Sequence, residues 1–370
     1  MEKALINYLE LCGTSYEIGY HLGKRAMTYP PQFIKMHKAS SAIYTEREAI
    51  EMAEMFNQYC PGLNEELQGF ADAIGTTRLH LFYYAMAYLV PGCSLLAVLP
   101  RLTDNGHVMV ARNYEFSHKM DDLTFCKTKV TGKYSHLGSS IMNFGRSEGI
   151  NEHGLMIAQT SCGRPVGNMQ NMRKPAVKGL QFCAIIRSLL ENCMNVSDAL
   201  KLLKDMPIAY NINLILADKS GKVVLFETYD GNKAWEEVNE NTDKQYLHST
   251  NHPHLPEIVK LEPMAMENSV VRYKLIESYM EKVDKLKEED LKELLLSMYP
   301  TGLCCHWYDD FFGTIRSVVF DVTLGKADVC WGGRAENGWK TYSLDTDMQA
   351  EKFLVSVNVE HPTFDLGRLI

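Results

Sequence analysis

Apolar residues recur at helical spacing through most of the first ninety residues of the chain. In the segment 49–60 they fall on one face, with charged and polar residues on the other. A proline and a glycine follow this segment, and Asn64 is of a residue type that caps the helix after them. The pattern predicts helices over 16–27, 49–60, 65–74 and 78–90.

The pattern changes at Cys93, where apolar runs of strand length begin. The turn Asp104-Asn105-Gly106 joins the first two runs into a hairpin, and a second hairpin turns at 218–221. Strands are predicted over 93–99, 107–112, 123–131, 139–144, 154–160, 211–217, 222–228, 314–322, 328–331 and 341–343. Helices are predicted over 175–192, 197–204, 269–285 and 288–298. Because hairpins pair antiparallel and blocks of helix cover sheet faces, this order predicts a layered α+β sandwich.

Composition narrows the classes of protein to which this chain can belong. Apolar residues make up 46% and charged residues 23% of its 370 positions, which is typical of a folded globular protein. The net charge of −8 gives no electrostatic reason to expect a nucleic acid or an anionic membrane as partner. No apolar run reaches the roughly 18 residues that span a bilayer, and the first residues lack the segments of a signal peptide. We therefore expect a cytoplasmic protein with no nucleic-acid or membrane partner.

Ten cysteines are scattered along the chain, and none has the C-x-x-C or Cys/His spacing of a structural zinc site. Scattered cysteines of this kind are mostly small buried apolar residues. The run Cys304-Cys305-His306 suggests a metal at first sight, but adjacent cysteines rarely bind one ion and no second cluster accompanies them. We expect this run to line the core or a pocket, and we predict neither a metal nor a cofactor.

Gly92 and Cys93 lie where the helical region meets the first strand. One interpretation is a turn followed by a buried cysteine. The other is self-cleavage, because a glycine leaves the adjacent carbonyl unhindered and tolerates the backbone geometry that an N-to-S acyl shift needs. Cleavage before Cys93 would free an α-amine with a pKa of roughly 8, which can act as base for its own thiol.

Arg112 and Glu115 come at the end of the second predicted strand, which returns beside the start of the first. A cation in this place favours the thiolate form of a cysteine. A carboxylate can orient a free amine through a charge-assisted hydrogen bond. An ordinary ion pair at a strand end is the competing interpretation of these two residues.

Four motifs follow one another along the chain: Cys93-Ser94, Arg112-Asn113-x-Glu115, the segment 148–155 (EGINEHGL) and the segment 249–253 (STNHP). In order and spacing they resemble the linear amide C–N hydrolases, cysteine N-terminal-nucleophile enzymes related to penicillin V acylase, bile salt hydrolase, acid ceramidase and the isopenicillin-N acyltransferases. The segment 13–23 further resembles the propeptide start of the acyltransferase branch. The resemblance runs nearly end to end and implies a four-layer αββα fold with two stacked antiparallel sheets.

The resemblance also implies roles for individual residues. Cys93 matches the nucleophile, and Arg112 matches the arginine beside it. Glu115 stands where the family usually has the aspartate that orients the amine. Asn251 matches the asparagine whose side-chain amide helps to form the oxyanion hole, and Arg272 resembles the second active-site arginine. Without the resemblance, Asn251 is a turn residue and Arg272 a solvated or capping arginine on a helix.

A second oxyanion donor has two candidates. The resemblance implies Ser161, which matches the position of this donor in bile salt hydrolases when the motif is counted without gaps from Gly154. A single insertion shifts the match to Thr160, so both residues stay open. A serine in this position offers either its hydroxyl or its backbone N–H.

Together these features predict self-cleavage between Gly92 and Cys93. The products are a helical propeptide or α chain, 1–92, that stays bound, and a catalytic β chain, 93–370. The β chain is predicted to hydrolyse a linear C–N amide of a small-molecule substrate through an acyl-enzyme on Cys93. The substrate classes are N-acyl amino acids, peptide-like amides and penicillins. An acyltransferase that passes the acyl group to an amine is the first alternative.

Two further alternatives stay open. A papain-like triad would combine Cys93, a histidine and Asn251, but the sequence selects no histidine and lacks papain-type surroundings of the cysteine. An unprocessed binding protein would keep the fold without the chemistry. The sequence also leaves the oligomeric state open, a homo-oligomer included.

Overall fold

The structure is a computed structural model that describes residues 1–29, 31–35, 37–85, 92–164, 166, 173–346 and 349–370. Its first element is a strand, β1 (Glu2–Gly13), in which Ala4, Ile6 and Tyr8 are buried at the two-residue spacing of a strand. Only helices were predicted for the first ninety residues, so β1 is an additional element. The strands that pair with β1 lie far along the chain, so no local hairpin pattern indicates it. The residues that follow β1 have helical periodicity and give no sign of a strand either.

Four helices follow β1: α1 (Ser15–Ala26), α2 (Pro31–Lys35), α3 (Glu46–Tyr59) and α4 (Leu63–Ala73). Helices α1, α3 and α4 confirm three of the four predicted for this region. Helices α1 and α4 pack so closely that a Cβ atom at Gly19 would lie 1.8 Å from the backbone oxygen of Glu66. The glycine that weakens α1 as an isolated helix therefore permits its contact with α4.

The start of α4 differs from the prediction. Its N-cap is Gly62, with a φ of 88° in the left-handed region that glycine adopts without strain. Asn64, predicted as the cap, lies inside the first turn and donates to the backbone oxygen of Ala53 at 2.7 Å. This contact ties α4 to α3.

The fourth predicted helix of this region is also wrong in the part that the structure describes. Two short 3-10 turns, Arg78–His80 and Phe82–Ala85, replace it. Leu81 separates them because it pairs with Lys38 in an isolated β-bridge. The last part of the prediction, 86–90, lies outside the described residues.

The remaining elements begin at Gly92. The strands are β2 (Gly92–Val98), β3 (Met109–Phe116), β4 (Thr124–Val130), β5 (His136–Ile141), β6 (Gly145–Asn151), β7 (Leu155–Ser161), β8 (Ile212–Asp218), β9 (Val223–Tyr229), β10 (Asn232–Val238), β11 (Tyr246–Ser249), β12 (His306–Trp307), β13 (Phe312–Asp321), β14 (Lys326–Trp331), β15 (Trp339–Ser343) and β16 (Glu351–Val357). The helices are α5 (Phe182–Asn192), α6 (Val196–Asp205), α7 (Pro256–Val259), α8 (Glu267–Met280) and α9 (Glu288–Leu296). Every predicted strand is found, with shifts at its ends, and β6, β10, β11, β12 and β16 are additional.

The strands form two sheets. The larger has nine strands in the order β10-β9-β8-β7-β6-β5-β4-β1-β16. The smaller has the order β11-β2-β3-β13-β14-β15, with β12 paired to β13 beside this path. The pair β1 and β4 is parallel, whereas β1 and β16 are antiparallel. Strand β1 is thus an inner strand of the larger sheet.

The two sheets and the helices form four layers. Strands β2 and β11 of the smaller sheet pack against β7, β8 and β9 of the larger one. Helices α5 and α6 cover the larger sheet, and α8 and α9 cover the smaller. This arrangement confirms the predicted αββα fold. Within the described ranges, no helix is both long enough and apolar enough to cross a membrane.

Candidate active site

The pairing of β2 with β3 places the predicted residues around the start of β2. In this register Gly92 lies opposite Glu115, and Cys93 lies opposite Tyr114. Strand β3 continues past Arg112, so this arginine lies inside the strand and not at its end as predicted. The predicted pairing of the two strands is nevertheless present, and it brings the second strand beside the start of the first.

Four polar side chains surround Cys93, which is fully buried. Its sulfur accepts from Nη2 of Arg112 at 3.3 Å and from Nε2 of Gln159 at 3.9 Å. Its backbone N–H donates to Oδ1 of Asn251 at 2.9 Å, and its carbonyl oxygen accepts from Nη1 of Arg272 at 2.5 Å. The structure thus brings together three residues from distant parts of the sequence and adds Gln159, which sequence reasoning missed.

A buried ionic network holds Arg112 from its far side. Nη1 of Arg112 donates to the backbone oxygen of Ser147 at 2.7 Å and lies 2.9 Å from Oε2 of Glu148. Oε1 of Glu148 accepts from Nε of Arg316 at 2.9 Å, and Arg316 also pairs with Asp121 at 3.3 Å. We call Arg112, Glu148, Arg316 and Asp121 the nucleophile network. Because these side chains are buried, the network fixes the direction in which Arg112 points.

Burial and charge act in opposite directions on the acidic groups of the site. Burial alone would raise the pKa of Glu148, but Arg112 and Arg316 outweigh it and lower this pKa to about 2. For Cys93, burial outweighs the attraction of Arg112 and raises the pKa of the thiol to about 12. The thiol is therefore protonated at neutral pH while the chain is continuous at Gly92.

Glu115 lies beside the site, on β3, and contacts Thr314. Its Oε1 accepts from Oγ1 of Thr314 at 3.2 Å, and its Oε2 has no hydrogen-bond partner in the part of the chain that the structure describes. Burial raises the pKa of this carboxyl to about 7, although two nearby arginines act to lower it. The acceptor for the N–H of Cys93 is Oδ1 of Asn251.

The side chain of Asn251 is held at both ends. Its Oδ1 accepts from Nη2 of Arg272 at 2.8 Å in addition to the N–H of Cys93. Its Nδ2 donates to Oγ of Ser161 at 2.9 Å. Two donors on one side identify that end of the amide as the oxygen. The amide nitrogen therefore points toward Ser161, the candidate oxyanion position.

One turn of α8 holds the segment around Asn251. Oγ of Ser269 accepts the backbone N–H of Asn251 at 2.7 Å, and Arg272 binds its side chain. Oδ1 of Asn268 braces Arg272 by accepting from Nη2 at 2.9 Å. Sequence reasoning found Arg272 and missed the other two. Their spacing of three and four residues from Arg272, which places all three on one face of a helix, was the available signal.

The two candidates for a second oxyanion donor differ in their contacts. Oγ1 of Thr160 donates to the backbone oxygen of Thr250 at 2.6 Å and accepts from Nδ2 of Asn213 at 3.1 Å. The hydroxyl hydrogen of Thr160 is thus used to hold the residue before Asn251. Ser161 accepts from the amide of Asn251, which places its hydroxyl next to the site.

Gly92 lies against the ring of Phe312. A Cβ atom at position 92 would come within 2.4 Å of Cε2 of this ring. The same ring lies 5.2 Å from the guanidinium of Arg272. The close approach of Phe312 therefore favours glycine at position 92, independently of any cleavage.

The alternative centres considered from sequence look different in the structure. Cys304 donates to the backbone oxygen of Gly333 at 3.3 Å, and Cys305 packs with Phe312 in a small apolar cluster. Across the described ranges, no group of three His, Cys, Asp or Glu side chains is arranged to hold a metal ion. Nor does any histidine there form a hydrogen bond with Cys93, as a papain-like triad requires.

Comparison with known protein families gives a match over more than half of the chain. The model of the acyl-coenzyme A:6-aminopenicillanic acid acyl-transferase family matches residues 101–336. This span contains Arg112, Glu115, Asn251 and Arg272, and it begins after Cys93. No curated protein matches the chain.

Several solved structures are similar to the chain at low sequence identity. Penicillin V acylase from Agrobacterium tumefaciens is 15% identical over 65% of this chain and 83% of its own, with a TM-score of 0.39. A Caenorhabditis elegans ortholog of N-acylethanolamine-hydrolyzing acid amidase is 15% identical over 63% of this chain and 94% of its own, with a TM-score of 0.43. A variant of the conjugated bile acid hydrolase from Clostridium perfringens is 11% identical over 74% of this chain and 100% of its own, with a TM-score of 0.45.

Proposed function

Because the chain belongs to the acyl-coenzyme A:6-aminopenicillanic acid acyl-transferase family, we propose that it is a self-processing cysteine amidohydrolase. It cleaves a linear C–N amide of a small molecule, of the N-acyl amino acid, peptide-like or penicillin type, through an acyl-enzyme on Cys93. One observation carries the proposal. Arg112, Asn251 and Arg272 converge on the thiol, the N–H and the carbonyl of this single residue.

The first proposed step is cleavage of the chain before Cys93. The sulfur attacks the carbonyl carbon of Gly92, the C–N bond breaks, and the thiol proton passes to the released amine. Water then hydrolyses the thioester to a Gly92 carboxylate and a free thiol. Arg112, 3.3 Å from the sulfur, favours the thiolate that attacks. The new α-amine stays where the N–H of Cys93 already binds Asn251.

We infer that residues 1–92 stay bound after cleavage. Strand β1 lies between β4 and β16, so its release would open the larger sheet. Glu66 of α4 forms two hydrogen bonds with Arg187 of α5, one of them 2.8 Å long. Arg187 also pairs with Glu191, which accepts from Lys133 at 2.7 Å. We call Glu66, Arg187, Glu191 and Lys133 the interface network, because it joins residues on both sides of the cleavage site.

The second proposed step is turnover of an external amide. The α-amine takes the proton of the Cys93 thiol, and the thiolate attacks the substrate carbonyl. Nδ2 of Asn251 and a donor from Ser161 hold the oxyanion. The C–N bond breaks, the amine leaves with the proton, and the acyl group remains on sulfur as a thioester. Water, deprotonated by the α-amine, releases the acid.

Glu115 and Arg272 take positioning roles in this proposal. Arg272 holds both the carbonyl of Cys93 and Oδ1 of Asn251, so it fixes the nucleophile relative to the oxyanion donor. Glu115 lies opposite Gly92 in the strand pairing. Once cleavage creates an ammonium group there, the carboxylate form of Glu115 is favoured and balances its charge.

Acyl transfer to an amine is the second candidate, favoured by the family match itself. The two reactions share the acyl-enzyme and differ in what attacks it. Candidate acyl amides and thioesters are offered to purified protein with and without amine acceptors, and acid and acyl-amine products are quantified. Hydrolysis predicts released acid without any acceptor. Acyl-amine product that forms while no acid appears would reject the hydrolase in favour of the transferase.

A thiol-reactive acyl probe separates the enzyme from a binding protein of the same fold. Cys12 is the exposed cysteine of the described set, so the experiment uses a Cys12→Ser background. The proposal predicts stoichiometric labelling that disappears in Cys93→Ala. Equal labelling with and without the Cys93 thiol would support the binding protein instead.

A further inference from the structure

Gln159 is a buried glutamine whose two polar ends have different surroundings. It lies on β7, is fully buried, and directs Nε2 to the sulfur of Cys93 at 3.9 Å. Its Oε1 has no hydrogen-bond partner among the described residues. The neighbouring strand positions Ile157 and Ala158 are apolar and fully buried. An apolar side chain is therefore what packing alone would select at this position.

The other polar side chains at this end of β7 are occupied by different contacts. Thr160 donates to the backbone oxygen of Thr250, and Ser161 accepts from Asn251. Arg112 is the second side chain that donates to the sulfur, and it is also tied to Glu148. Of these two donors to the sulfur of Cys93, Arg112 is charged and Gln159 is uncharged.

We propose that Gln159 is a further catalytic residue, which donates a hydrogen bond from Nε2 to the thiolate of Cys93. The inference rests on the proposed function, because it needs a reacting thiolate. A neutral amide adds no charge to the site, so it stabilises the anion without competing with the α-amine for the proton. Its contact shortens as charge develops on sulfur, since hydrogen bonds to ionised acceptors are shorter and stronger than neutral ones.

The test uses two substitutions of similar size. Gln159→Met keeps the length of the side chain and removes the donor, whereas Gln159→Glu keeps its shape and replaces the donor with an acceptor. Gln181→Met is the matched control, because Gln181 is also buried with an unpaired Oε1 but donates to the backbone oxygen of Tyr83 at 3.2 Å. Each protein is purified whole, and its cleaved fraction is measured by mass.

The readout is the rate at which iodoacetamide alkylates Cys93 in the cleaved protein, followed by peptide mass from pH 5 to 10. We expect Gln159→Met to slow alkylation at pH 7 by about tenfold and to raise the midpoint of the pH profile by about one unit. Both effects correspond to the loss of one hydrogen bond to an anion. Gln159→Glu should raise the midpoint further, because its carboxylate repels the thiolate. Gln181→Met should keep the wild-type midpoint.

The outcomes separate this inference from the function on which it rests. A cleaved Gln159→Met protein with the wild-type pH profile would overturn the role of Gln159 and leave the amidohydrolase proposal intact. If Gln159→Met does not fold, Gln159→Glu decides by the same criterion. A wild-type protein that is never cleaved, with Cys93 unreactive at every pH, would overturn both.

Discussion

The nucleophile network and the interface network are both buried ionic clusters, but their surroundings differ in how completely polar atoms are paired. In the interface network every side-chain nitrogen of Arg187 donates, and both oxygens of Glu66 and of Glu191 accept. Around Cys93 several buried polar atoms have no hydrogen-bond partner among the described residues. They include Nε of Arg112, Nε of Arg272, Oε2 of Glu115 and Oε1 of Gln159.

This difference fits the roles that we propose for the two regions, stability for the interface network and chemistry for the surroundings of Cys93. A buried polar atom without a partner costs about 1–3 kcal/mol, so the surroundings of Cys93 are locally destabilised. Unpaired groups in a buried site are also the ones that a substrate or a new α-amine can satisfy. We therefore expect substitutions in the interface network to change stability alone, and substitutions around Cys93 to change reactivity as well.

The largest expected effect comes from removing one carboxylate from each network. Glu148→Gln leaves Arg112 without its carboxylate, and Glu66→Gln does the same to one side of Arg187. Breaking a buried ion pair in this way costs about 3–5 kcal/mol. The free energy of unfolding, measured by urea denaturation, should therefore fall by about this amount in both variants. Only Glu148→Gln should also slow turnover per folded molecule, by about tenfold, because Arg112 loses its orientation toward the thiol.

The comparison between the networks depends on that difference in turnover. Activity is therefore normalised to the folded fraction, measured by near-UV circular dichroism. Equal specific activity in the two variants would mean that the nucleophile network does not orient Arg112, and the contrast between the regions would disappear.

The next effect is the pH dependence that Glu115 gives to stability. Burial raises the pKa of Glu115 from its ordinary 4.5 to about 7. Between these values the folded chain holds a proton that the unfolded chain releases. The contribution of Glu115 to the free energy of unfolding is thus full below pH 4.5 and is lost as pH rises through 7. The loss is about 3 kcal/mol in all. In an uncleavable Cys93→Ala background, wild-type stability relative to Glu115→Gln should fall by this amount between pH 4 and 8.

The free energy of unfolding is measured by chemical denaturation at each pH, for the Cys93→Ala protein with and without Glu115→Gln. A glutamine cannot titrate, so it removes this single contribution and preserves the shape of the side chain. A stability difference that stays constant from pH 4 to 8 would show that the carboxyl is not held protonated in the folded chain.

A smaller effect is expected at Gly92. Gly92→Ala would place a methyl group against the ring of Phe312, and overpacking of this kind costs about 1–3 kcal/mol. Thermal unfolding in the Cys93→Ala background measures the loss. The double variant with Phe312→Leu, which removes the clashing ring, should recover part of the stability. If Phe312→Leu lowers the thermal stability further and recovers none of it, the ring of Phe312 is not the reason for glycine at position 92.

Much of the fold followed from periodicity in the sequence. The helices α1, α3 and α4 and the hairpin of β8 and β9 have local patterns that predict them directly. Strand β6 was not predicted, because its polar residues Ser147 and Glu148 do not give the apolar pattern of a buried strand. Their partners on distant strands satisfy them in the interior. Strand β1 was missed because its neighbours β4 and β16 are remote in sequence.

The site shows the same division between local and long-range information. Motifs led to Cys93, Arg112, Asn251 and Arg272, which the structure brings into contact. The contacts of Glu115 and Gln159 depend on the packing of strands that no local pattern relates. Which end of the Asn251 amide faces Cys93 is likewise decided by Arg272, which lies on another element.

The most direct test of the account is the intact mass and N-terminal sequence of the purified full-length protein, beside its Cys93→Ala variant. The account predicts two associated polypeptides in the wild type, the larger beginning at Cys93, and one uncut chain in the variant. Co-elution of the two polypeptides on size exclusion would show that they stay associated after cleavage. A wild-type chain that remains uncut and still turns over amides would contradict the central claim.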